Sequence, residues 1–496
     1  MLNKLRAIVI DFISSKKEFP VVAALASGLY PLFYYYDKNF SILNSWSQFL
    51  FYVLFYLLMP VVLIFGIYKI LSKKHFLYKL KRYCIPVLNL VLFTFFVIIS
   101  VQGFENKNSF FILLVPVLLG VLLRKHFNKI IVLQYLLASL VALKLLPDIY
   151  RHFTYSSQWM QQPDNIEAVV FKKKPNIYII QPDGYANFSE LKKSNYNYDN
   201  KAFESFLQDN DFKLYENFRS NYFSTLSSNS SMFSMKHHYY NKPLKPGLEE
   251  VYSARDVIVG ENPVISVFKK NNYKTFLLLE KSYLLLNRPK IAYDYSNLQT
   301  SNISFFSRGF DVLRDLNEDL ESAIKNNTST NNFFFLEKLK PGHIATRGNE
   351  SKGAEHERKN YLKELEESNE WLKESVDIIT KNDPNGLIVI IADHGGFVGL
   401  DYMHQCKQKQ TDSDLINTVF SAALAIKWPS NAPEYDDKLK TNVNLFRVLF
   451  SYLSEDEAYL DNLQEDSSYT IIEKGEPFGT YKVLDSKGNV VLEKVE

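Results

Sequence analysis

Cysteine is nearly absent from this chain of 496 residues. Cys84 starts an apolar segment and Cys406 lies far away in a polar one, so we do not expect the two to be bonded to each other. A disulfide framework and a cysteine-based metal site are therefore excluded. An extracytoplasmic location is not excluded, because a large domain can be stabilised by its hydrophobic core alone.

Acidic residues are scarce in the first 150 residues. This part contains 16 Lys and Arg against 5 Asp and Glu, whereas the remaining residues contain 41 against 49. Basic charge between apolar segments indicates a membrane protein. The mildly acidic remainder argues against a role in nucleic-acid binding for the larger part of the chain.

The basic first part also contains long apolar stretches, at 20–36, 48–71, 84–103, 109–123 and 129–147. A membrane-spanning helix needs about 20 apolar residues, which the second, third and fifth stretches provide. The first contains Gly28 and Pro31, which membrane helices tolerate, and the fourth is short.

Charges between these stretches predict their orientation. Basic residues concentrate before the first stretch, between the second and third, and between the fourth and fifth: Lys4, Arg6, Lys16, Lys17, Lys73, Lys74, Lys79, Lys81, Arg82, Arg124, Lys125 and Lys129. Because Lys and Arg stay on the cytoplasmic side, the pattern predicts five spans, a cytoplasmic N-terminus and an extracytoplasmic location for everything after Pro147.

Beyond residue 174 the apolar runs become shorter and alternate with amphipathic segments. Five runs have the length of strands: 176–180, 273–279, 333–336, 387–391 and 420–426. Residues 358–380 carry apolar residues at helical spacing. The alternation predicts an α/β domain over 175–496, with a mostly parallel sheet covered by helices on both faces. Residues 1–150 are predicted to form a bundle of five transmembrane helices, and 151–174 a linker and interfacial segment.

Polar side chains follow two of these predicted strands directly. NIYIIQPDGYAN places Asp183 past one strand, and LIVIIADHGG places Asp393 and His394 past another. Each motif continues with glycine, which lets backbone or ligand approach closely. Asp-Gly after a strand is most often a turn, but a turn has no need of a histidine. Carboxylate and imidazole at the carboxyl ends of strands predict a site for a divalent cation.

These two segments resemble the metal-binding strand ends of the alkaline phosphatase superfamily. Together with the five predicted spans, they resemble its membrane-anchored, sulfatase-like branch, which includes lipoteichoic acid synthases and phosphoethanolamine transferases. The resemblance covers roughly 175–430 and the general plan of the membrane part. It implies that 175–496 is an extracytoplasmic, sulfatase-like catalytic domain held at the plasma (inner) membrane.

In that family the nucleophile lies between the two metal motifs, at the start of a helix. The segment FRSNYFSTLSSNSSMFSM occupies this place, and the resemblance identifies Thr225 as the nucleophile. A hydroxyl at a helix start is also suited to meet an anion. The residues alone leave open an N-cap before a Ser- and Asn-rich loop, and Ser224, Ser227 and Ser228 are neighbouring candidates.

The resemblance implies one metal site formed by Asp183, Thr225, Asp393 and His394, holding Mn, Zn or Mg. His343, in FFFLEKLKPGHIATR, matches a family histidine that contacts the transferred group or protonates the leaving oxygen. Glu337 stands where another histidine is common, which puts a second metal in doubt. Arg347 and His404 are predicted to bind the substrate, although a solvated surface arginine is an equal alternative for Arg347.

The resemblance implies the transfer of a phosphoethanolamine or phosphoglycerol head group through a phosphothreonine intermediate. The donor would be a phospholipid and the acceptor a cell-envelope glycan or lipid. The chain has no S-x-P-x-R motif and no cysteine near Thr225, which disfavours sulfatase chemistry. Two alternatives stay open: a membrane-tethered phosphodiesterase, phosphatase or sulfatase-like hydrolase that uses water, and a non-catalytic envelope interaction module, which Glu337 would favour.

Overall fold

The computed structural model describes residues 2–73, 78–103, 111–238 and 252–495. The chain divides into two compact units. The first comprises Met1–Tyr155 with Ser304–Phe306, and the second comprises Ser156–Ile303 with Ser307–Glu496.

The first unit is helical throughout its described part. Its helices are α1 (Leu2–Ser14), α2 (Pro20–Asn39), α3 (Trp46–Val53), continued through a π-helical turn into α4 (Met59–Lys73), α5 (Tyr78–Gln102), α6 (Leu114–Leu122) and α7 (Phe127–Thr154).

Three helical stretches of this unit are long and apolar enough to cross a membrane: Trp46–Lys73, Leu80–Gln102 and Arg124–Thr154. They correspond to the second, third and fifth predicted spans. The fourth predicted span falls on a shorter apolar helix, Phe111–Leu122. The described residues thus identify a membrane protein, and the number of five spans stays a prediction.

The first predicted span corresponds to α2, which packs against α4, α5 and α7. Its small residues allow this close packing: a Cβ atom on Gly28 would lie 1.7 Å from the carbonyl oxygen of Tyr56. The Asn89 amide donates to the carbonyl of Ala23 at 2.7 Å. Because small and polar residues bring membrane helices together, the low hydrophobicity of α2 fits a helix that other helices surround.

The second unit is an α/β domain with a second, small sheet. Its strands are β1 (Ile177–Pro182), β2 (Lys213–Leu214), β3 (Tyr273–Leu279), β4 (Tyr295–Ser296), β5 (Asn331–Lys338), β6 (Leu387–Ile391), β7 (Leu424–Lys427), β8 (Ser468–Ile472), β9 (Gly479–Leu484) and β10 (Val490–Lys494). Its helices are α8 (Phe188–Leu191), α9 (Lys201–Asp209), α10 (Thr225–Ser234), α11 (Ala254–Val259), α12 (Pro263–Lys270), α13 (Leu316–Lys325), α14 (Ala354–Asn382), α15 (Ser413–Phe420) and α16 (Leu445–Ser454).

The large sheet has the order β2-β7-β6-β1-β5-β3-β4 and is mixed. The prediction of a mostly parallel sheet is corrected at β7, which runs antiparallel to both β6 and β2. The reason is local: the N–H of Ala392, just past β6, donates to the carbonyl of Ala423 at 2.9 Å. The chain therefore enters β7 beside the end of β6 and has to run back along it.

Helices cover the sheet on both faces. Every residue of β1 and β6 is buried, although successive side chains of a strand point to opposite faces. Helices α10, α12 and α16 pack beside one another, and α14 packs with α9 and α13. The parallel neighbours β6, β1 and β5 end at the same edge of this covered sheet.

Residues 156–174 belong to the second unit, and their predicted role as a linker and interfacial segment stays a prediction. Helix α7 continues to Thr154, and short 3-10 turns follow. Trp159, Ile166 and Phe171 of this segment are buried in the core of the second unit. Burial of these apolar side chains explains why the segment folds onto the α/β domain.

Candidate metal centre and active site

Three strand ends supply the acidic groups of the candidate site. In the sheet register, Gln181 of β1 pairs with Glu337 of β5, and Ile180 pairs with Ile390 of β6. The N–H of Asp183 donates to the carbonyl of Lys338, the last residue of β5, at 2.9 Å. The parallel arrangement therefore brings Asp183, the end of β5 and the residues after β6 together.

The predicted metal ligands converge at this edge. Asp183, Asp393 and His394 are buried, and one ligand atom from each lies within 4.8 Å of the others. His394 Nε2 is 3.3 Å from Asp183 Oδ1 and 3.4 Å from Asp393 Oδ2. The Thr225 hydroxyl donates to the same Asp183 Oδ1 at 3.3 Å. Four residues far apart in the sequence thus share one small volume.

Close backbone contacts require glycine after Asp183 and after the Asp393–His394 pair. Gly184 has a φ of +67°, and a Cβ atom there would lie 2.1 Å from the carbonyl oxygen of Gly342. A Cβ atom on Gly395 would lie 2.3 Å from the carbonyl oxygen of Thr418. No side chain fits at either position without a backbone shift, so both glycines allow the loops to close around the site.

Thr225 is the first residue of α10, and its position is fixed from both sides. Ser224 caps the helix by accepting from the N–H of Ser227 at 3.4 Å. Asn229, one turn further, exchanges two amide hydrogen bonds with Gln181 of β1, at 2.7 and 2.8 Å. Because Gln181 lies two residues before Asp183, this amide pair holds the helix start against the metal ligands.

The neighbouring hydroxyls of α10 have other roles. Ser224 serves as the cap, and the hydroxyl of Ser228 donates to the carbonyl of Tyr222 at 2.9 Å. Thr225 is the residue of this group whose hydroxyl contacts Asp183. The geometry therefore favours Thr225 over Ser224 and Ser228 as the reactive hydroxyl.

Hydrogen bonds around the cluster leave electron pairs directed inward. His394 Nδ1 lies 2.8 Å from the carbonyl of Gly395, which can only accept, so Nδ1 carries the proton and Nε2 a free electron pair. Asp393 Oδ1 accepts from the N–H groups of Gly184 and His394, at 3.0 and 3.1 Å. Its Oδ2 is buried and has no hydrogen-bond donor among the described residues. A set of oxygen and nitrogen atoms whose electron pairs face inward in this way fits a divalent cation.

Electrostatics supports the same assignment. Burial, the nearby carboxyl of Asp393 and that of Glu337 raise the pKa of Asp183 well above its usual range. Burial and the charge of Asp393 raise the pKa of Glu337 to about 8. Buried like charges resist ionisation unless a positive charge compensates them, so a cation held by Asp183, Thr225, Asp393 and His394 would stabilise the ionised forms.

Glu337, which stands where the resemblance places a histidine, is buried beside the cluster, and the sequence did not predict this burial. It is 1 % exposed at the end of β5, and its Oε1 has no hydrogen-bond partner among the described residues. The raised pKa of its carboxyl traces partly to Asp393. The available signal was the apolar run before it, which has the same pattern as the runs before Asp183 and Asp393.

His343 lies beside the cluster, half-buried, with its ring centroid 6.1 Å from that of His394. Its Nδ1 donates to the carbonyl of Ile344 at 2.6 Å, which leaves Nε2 with a free electron pair. Burial and the neighbouring His394 lower the pKa of His343 to about 4. The ring is therefore neutral at pH 7, and its Nε2 can accept a hydrogen bond.

The two predicted substrate residues differ in placement. His404 also lowers the pKa of His343, and its backbone N–H donates to the carbonyl of Thr346 at 3.2 Å, which places it close to the His343 segment. Arg347 is exposed, and within the described residues no hydrogen bond or ion pair joins its side chain to the cluster. The roles of both residues in substrate binding stay predictions.

No family model and no curated protein matches the chain. Among solved structures it is similar to the C-terminal periplasmic domain of EcEptC from Escherichia coli in complex with Zn, at 11% identity over 64% of this chain and 96% of that chain, with a TM-score of 0.42. It is also similar to the lipoteichoic acid synthase LtaP from Listeria monocytogenes, at 13% identity over 66% and 91%, with a TM-score of 0.39.

A third similar structure is the periplasmic domain of the phosphoethanolamine transferase EptC from Campylobacter jejuni, at 15% identity over 57% of this chain and 90% of that chain, with a TM-score of 0.34. Because the identities and TM-scores are low, the function proposed next depends on the geometry of the site.

Proposed function

We propose that this chain is a metal-dependent membrane phosphotransferase. It moves a phosphoethanolamine or phosphoglycerol head group from a phospholipid to a cell-envelope glycan or lipid, through a phosphothreonine on Thr225. The observation that carries the proposal is the shared oxygen: Thr225 Oγ1 and His394 Nε2 both lie 3.3 Å from Asp183 Oδ1. A reactive hydroxyl and a cation-binding cluster are thus placed together.

In the first half-reaction the Thr225 oxygen attacks the phosphorus atom of the donor head group. The bond between phosphorus and the diacylglycerol oxygen breaks, and the Thr225 proton ends on that leaving oxygen. A divalent cation held by Asp183, Thr225, Asp393 and His394 would lower the pKa of the hydroxyl and neutralise developing negative charge. Asp183 orients the hydroxyl by accepting its hydrogen bond.

In the second half-reaction an acceptor hydroxyl attacks the phosphothreonine and releases Thr225. The acceptor hydroxyl loses its proton as its oxygen bonds to phosphorus, and Nε2 of His343 is the proposed carrier that delivers this proton to the Thr225 oxygen as the bond between that oxygen and phosphorus breaks. His404 and Arg347 are proposed to contact the head group. The membrane helices of the first unit favour a lipid donor, and the charge pattern favours an extracytoplasmic reaction at the plasma membrane.

A transfer assay with the full chain in liposomes tests this proposal. The liposomes contain phosphatidylethanolamine or phosphatidylglycerol labelled in the head group, and extracted envelope glycolipid serves as acceptor. We expect the wild type to produce diacylglycerol and a peptide that carries the labelled head group on Thr225. Thr225→Ala cannot form the labelled peptide and should lower diacylglycerol production by roughly a thousandfold, since a barrier increase of several kcal/mol is typical for loss of a nucleophile.

Ser230→Ala is the matched control, because this hydroxyl lies on the same helix and donates to the carbonyl of Leu226 at 2.6 Å. Equal diacylglycerol release by Thr225→Ala and wild type would contradict the proposal. Release of free head-group phosphate that no acceptor suppresses would instead identify a hydrolase.

A further inference from the structure

The first unit contains a cavity of about 450 Å³ at the ends of its helices, here named the basic cavity. Three separate segments line it: the α1–α2 connection (13–19), the start of the apolar part of α5 (82–86) and the start of α7 (124–131). The sequence predicts that this end of the helices faces the cytoplasm. The basic cavity is independent of the reaction proposed above.

Positive charge dominates the lining. The basic residues that line the cavity are Lys16, Lys17, Arg82, Arg124, Lys125 and Lys129. Glu18 is the one carboxylate among the lining residues. Its Oε2 accepts from the Tyr68 hydroxyl at 2.7 Å and lies 4.0 Å from Lys81 Nζ, so it faces two groups that do not line the cavity. The cations of the lining are therefore left largely uncompensated.

The two arginines of the lining share an aromatic neighbour. The guanidinium groups of Arg82 and Arg124 stack on the same ring, that of Tyr83, at 4.7 and 4.9 Å from its centroid. Among the described residues neither guanidinium forms an ion pair. Two guanidinium groups without an ion-pair partner leave positive charge at the cavity, and guanidinium groups bind phosphate well through charge-assisted hydrogen bonds.

Backbone dipoles add to this field. Helices α2 and α7 begin at Pro20 and Phe127, beside or in the lining, and neither start has a side-chain cap. The N-terminal ends of the two helix dipoles add partial positive charge at the cavity. The Asn128 amide donates to the carbonyls of Phe12 and Ser15, both at 3.0 Å, and so holds the α1–α2 connection against α7.

We propose that the basic cavity is a binding site for a phosphate-bearing anion, with the head group of an anionic phospholipid as the favoured source. Basic pockets between membrane helices on the cytoplasmic side are suited to such head groups. The apolar side chains of Ile85, Phe127 and Ile131 complete the lining, which matches a head group joined to acyl chains better than a free ion.

The test uses the full chain purified into nanodiscs of phosphatidylcholine alone or with phosphatidylglycerol. Native mass spectrometry measures phosphatidylglycerol that stays bound after exchange into lipid-free detergent. Arg82→Gln/Arg124→Gln removes the two stacked guanidinium groups. Lys4→Gln/Lys69→Gln is the matched control, because it removes two cations of the same unit that do not line the cavity. A second arm adds glycerol 3-phosphate to the phosphatidylcholine nanodiscs and measures the thermal shift.

We expect the arginine double variant to bind phosphatidylglycerol about thirtyfold more weakly, since each cation near the surface contributes a factor of about five. The control should match the wild type. A thermal shift by glycerol 3-phosphate that the arginine variant loses would support the site with a soluble source. Equal retention by the arginine variant and wild type, or an equal loss in the control, would overturn the proposal. If the arginine variant fails to fold, Lys125→Gln/Lys129→Gln takes its place with the same expectation.

Discussion

The molecule holds uncompensated charge in two places, and the two places have opposite sign. The strand-end cluster of the second unit gathers the carboxyl groups of Asp183, Asp393 and Glu337, all buried. The basic cavity of the first unit gathers lysines and arginines, several of them exposed. The first arrangement calls for a cation and the second for an anion.

The difference lies in how each charge is held. Short carboxylates at strand ends are fixed by backbone N–H groups, as those of Gly184 and His394 fix Asp393. The long side chains around the cavity extend from helix ends and keep contact with solvent, where screening is strong. We therefore expect the cluster to be selective for its cation and to lose function on a single substitution. The cavity should tolerate single substitutions with a small effect on binding.

The largest effect should follow loss of one cluster carboxylate. Asp393→Asn keeps an oxygen for the two backbone N–H groups but removes the charge that would face the cation. Head-group transfer should fall roughly a thousandfold, because such ligands contribute several kcal/mol to the barrier. Asp436→Asn is the matched control, since this buried carboxylate accepts from Lys213 and Tyr215 at 2.6 and 2.8 Å, outside the cluster. A similar loss of transfer in both variants would show that the effect comes from removing any buried carboxylate and not from the cluster.

The cost of the buried charges should appear as a pH dependence of the metal-free protein. Burial raises the pKa of Glu337 from 4.5 to about 8, so the folded state binds more protons than the unfolded state between these values. The contribution of Glu337 to stability is therefore largest below pH 4.5 and falls as the pH rises toward 8. Thermal unfolding in chelator at pH 5.5 and 8 measures this fall.

Glu337→Gln should remove much of that dependence and stabilise the metal-free protein at pH 8 by about 2–4 kcal/mol. Added divalent cation should stabilise the wild type more at pH 8 than at pH 5.5. A metal-free wild type that gains stability on going from pH 5.5 to 8 would contradict this account.

A single substitution in the basic cavity should have a much smaller effect. Lys125→Gln removes one exposed cation. We expect the free energy of unfolding in phosphatidylcholine nanodiscs to change by less than about 0.5 kcal/mol. Retention of phosphatidylglycerol should fall about fivefold. A large loss of stability would mean that the cavity is as tightly built as the strand-end cluster.

The smallest effect is expected at Arg347. Its side chain is exposed, and charges in water contribute little to binding. Arg347→Ala should raise the KM for the donor lipid about two- to threefold with an unchanged kcat. A large fall in kcat would show that Arg347 reaches the reacting phosphate and that the cluster extends beyond the strand ends.

Sequence patterns were sufficient for the centre of the site but not for its surroundings. Asp183 and the Asp393–His394 pair could be predicted because each ends an apolar run, and parallel strands then bring such ends together. Glu337 ends a run in the same way, but its burial depends on the register with β1, which no local pattern shows. The direction of β7 was also hidden, because buried parallel and antiparallel strands have the same apolar composition.

The segment 156–174 illustrates a different limit. Trp159, Ile166 and Phe171 are buried, but they are spaced without helical or strand period and lie on short 3-10 turns and loops. Pattern analysis depends on period and therefore could not show that these side chains are buried.

The most direct test of the central claim is the number of divalent cations bound per chain. Elemental mass spectrometry after dialysis against Zn, Mn or Mg measures it for the wild type, Asp393→Asn and Asp436→Asn. The account predicts one tightly bound ion for the wild type and Asp436→Asn, and none for Asp393→Asn. A wild type that holds no ion, or an Asp393→Asn variant that keeps it, would contradict the claim that buried acids and an imidazole at the strand ends are built around a cation.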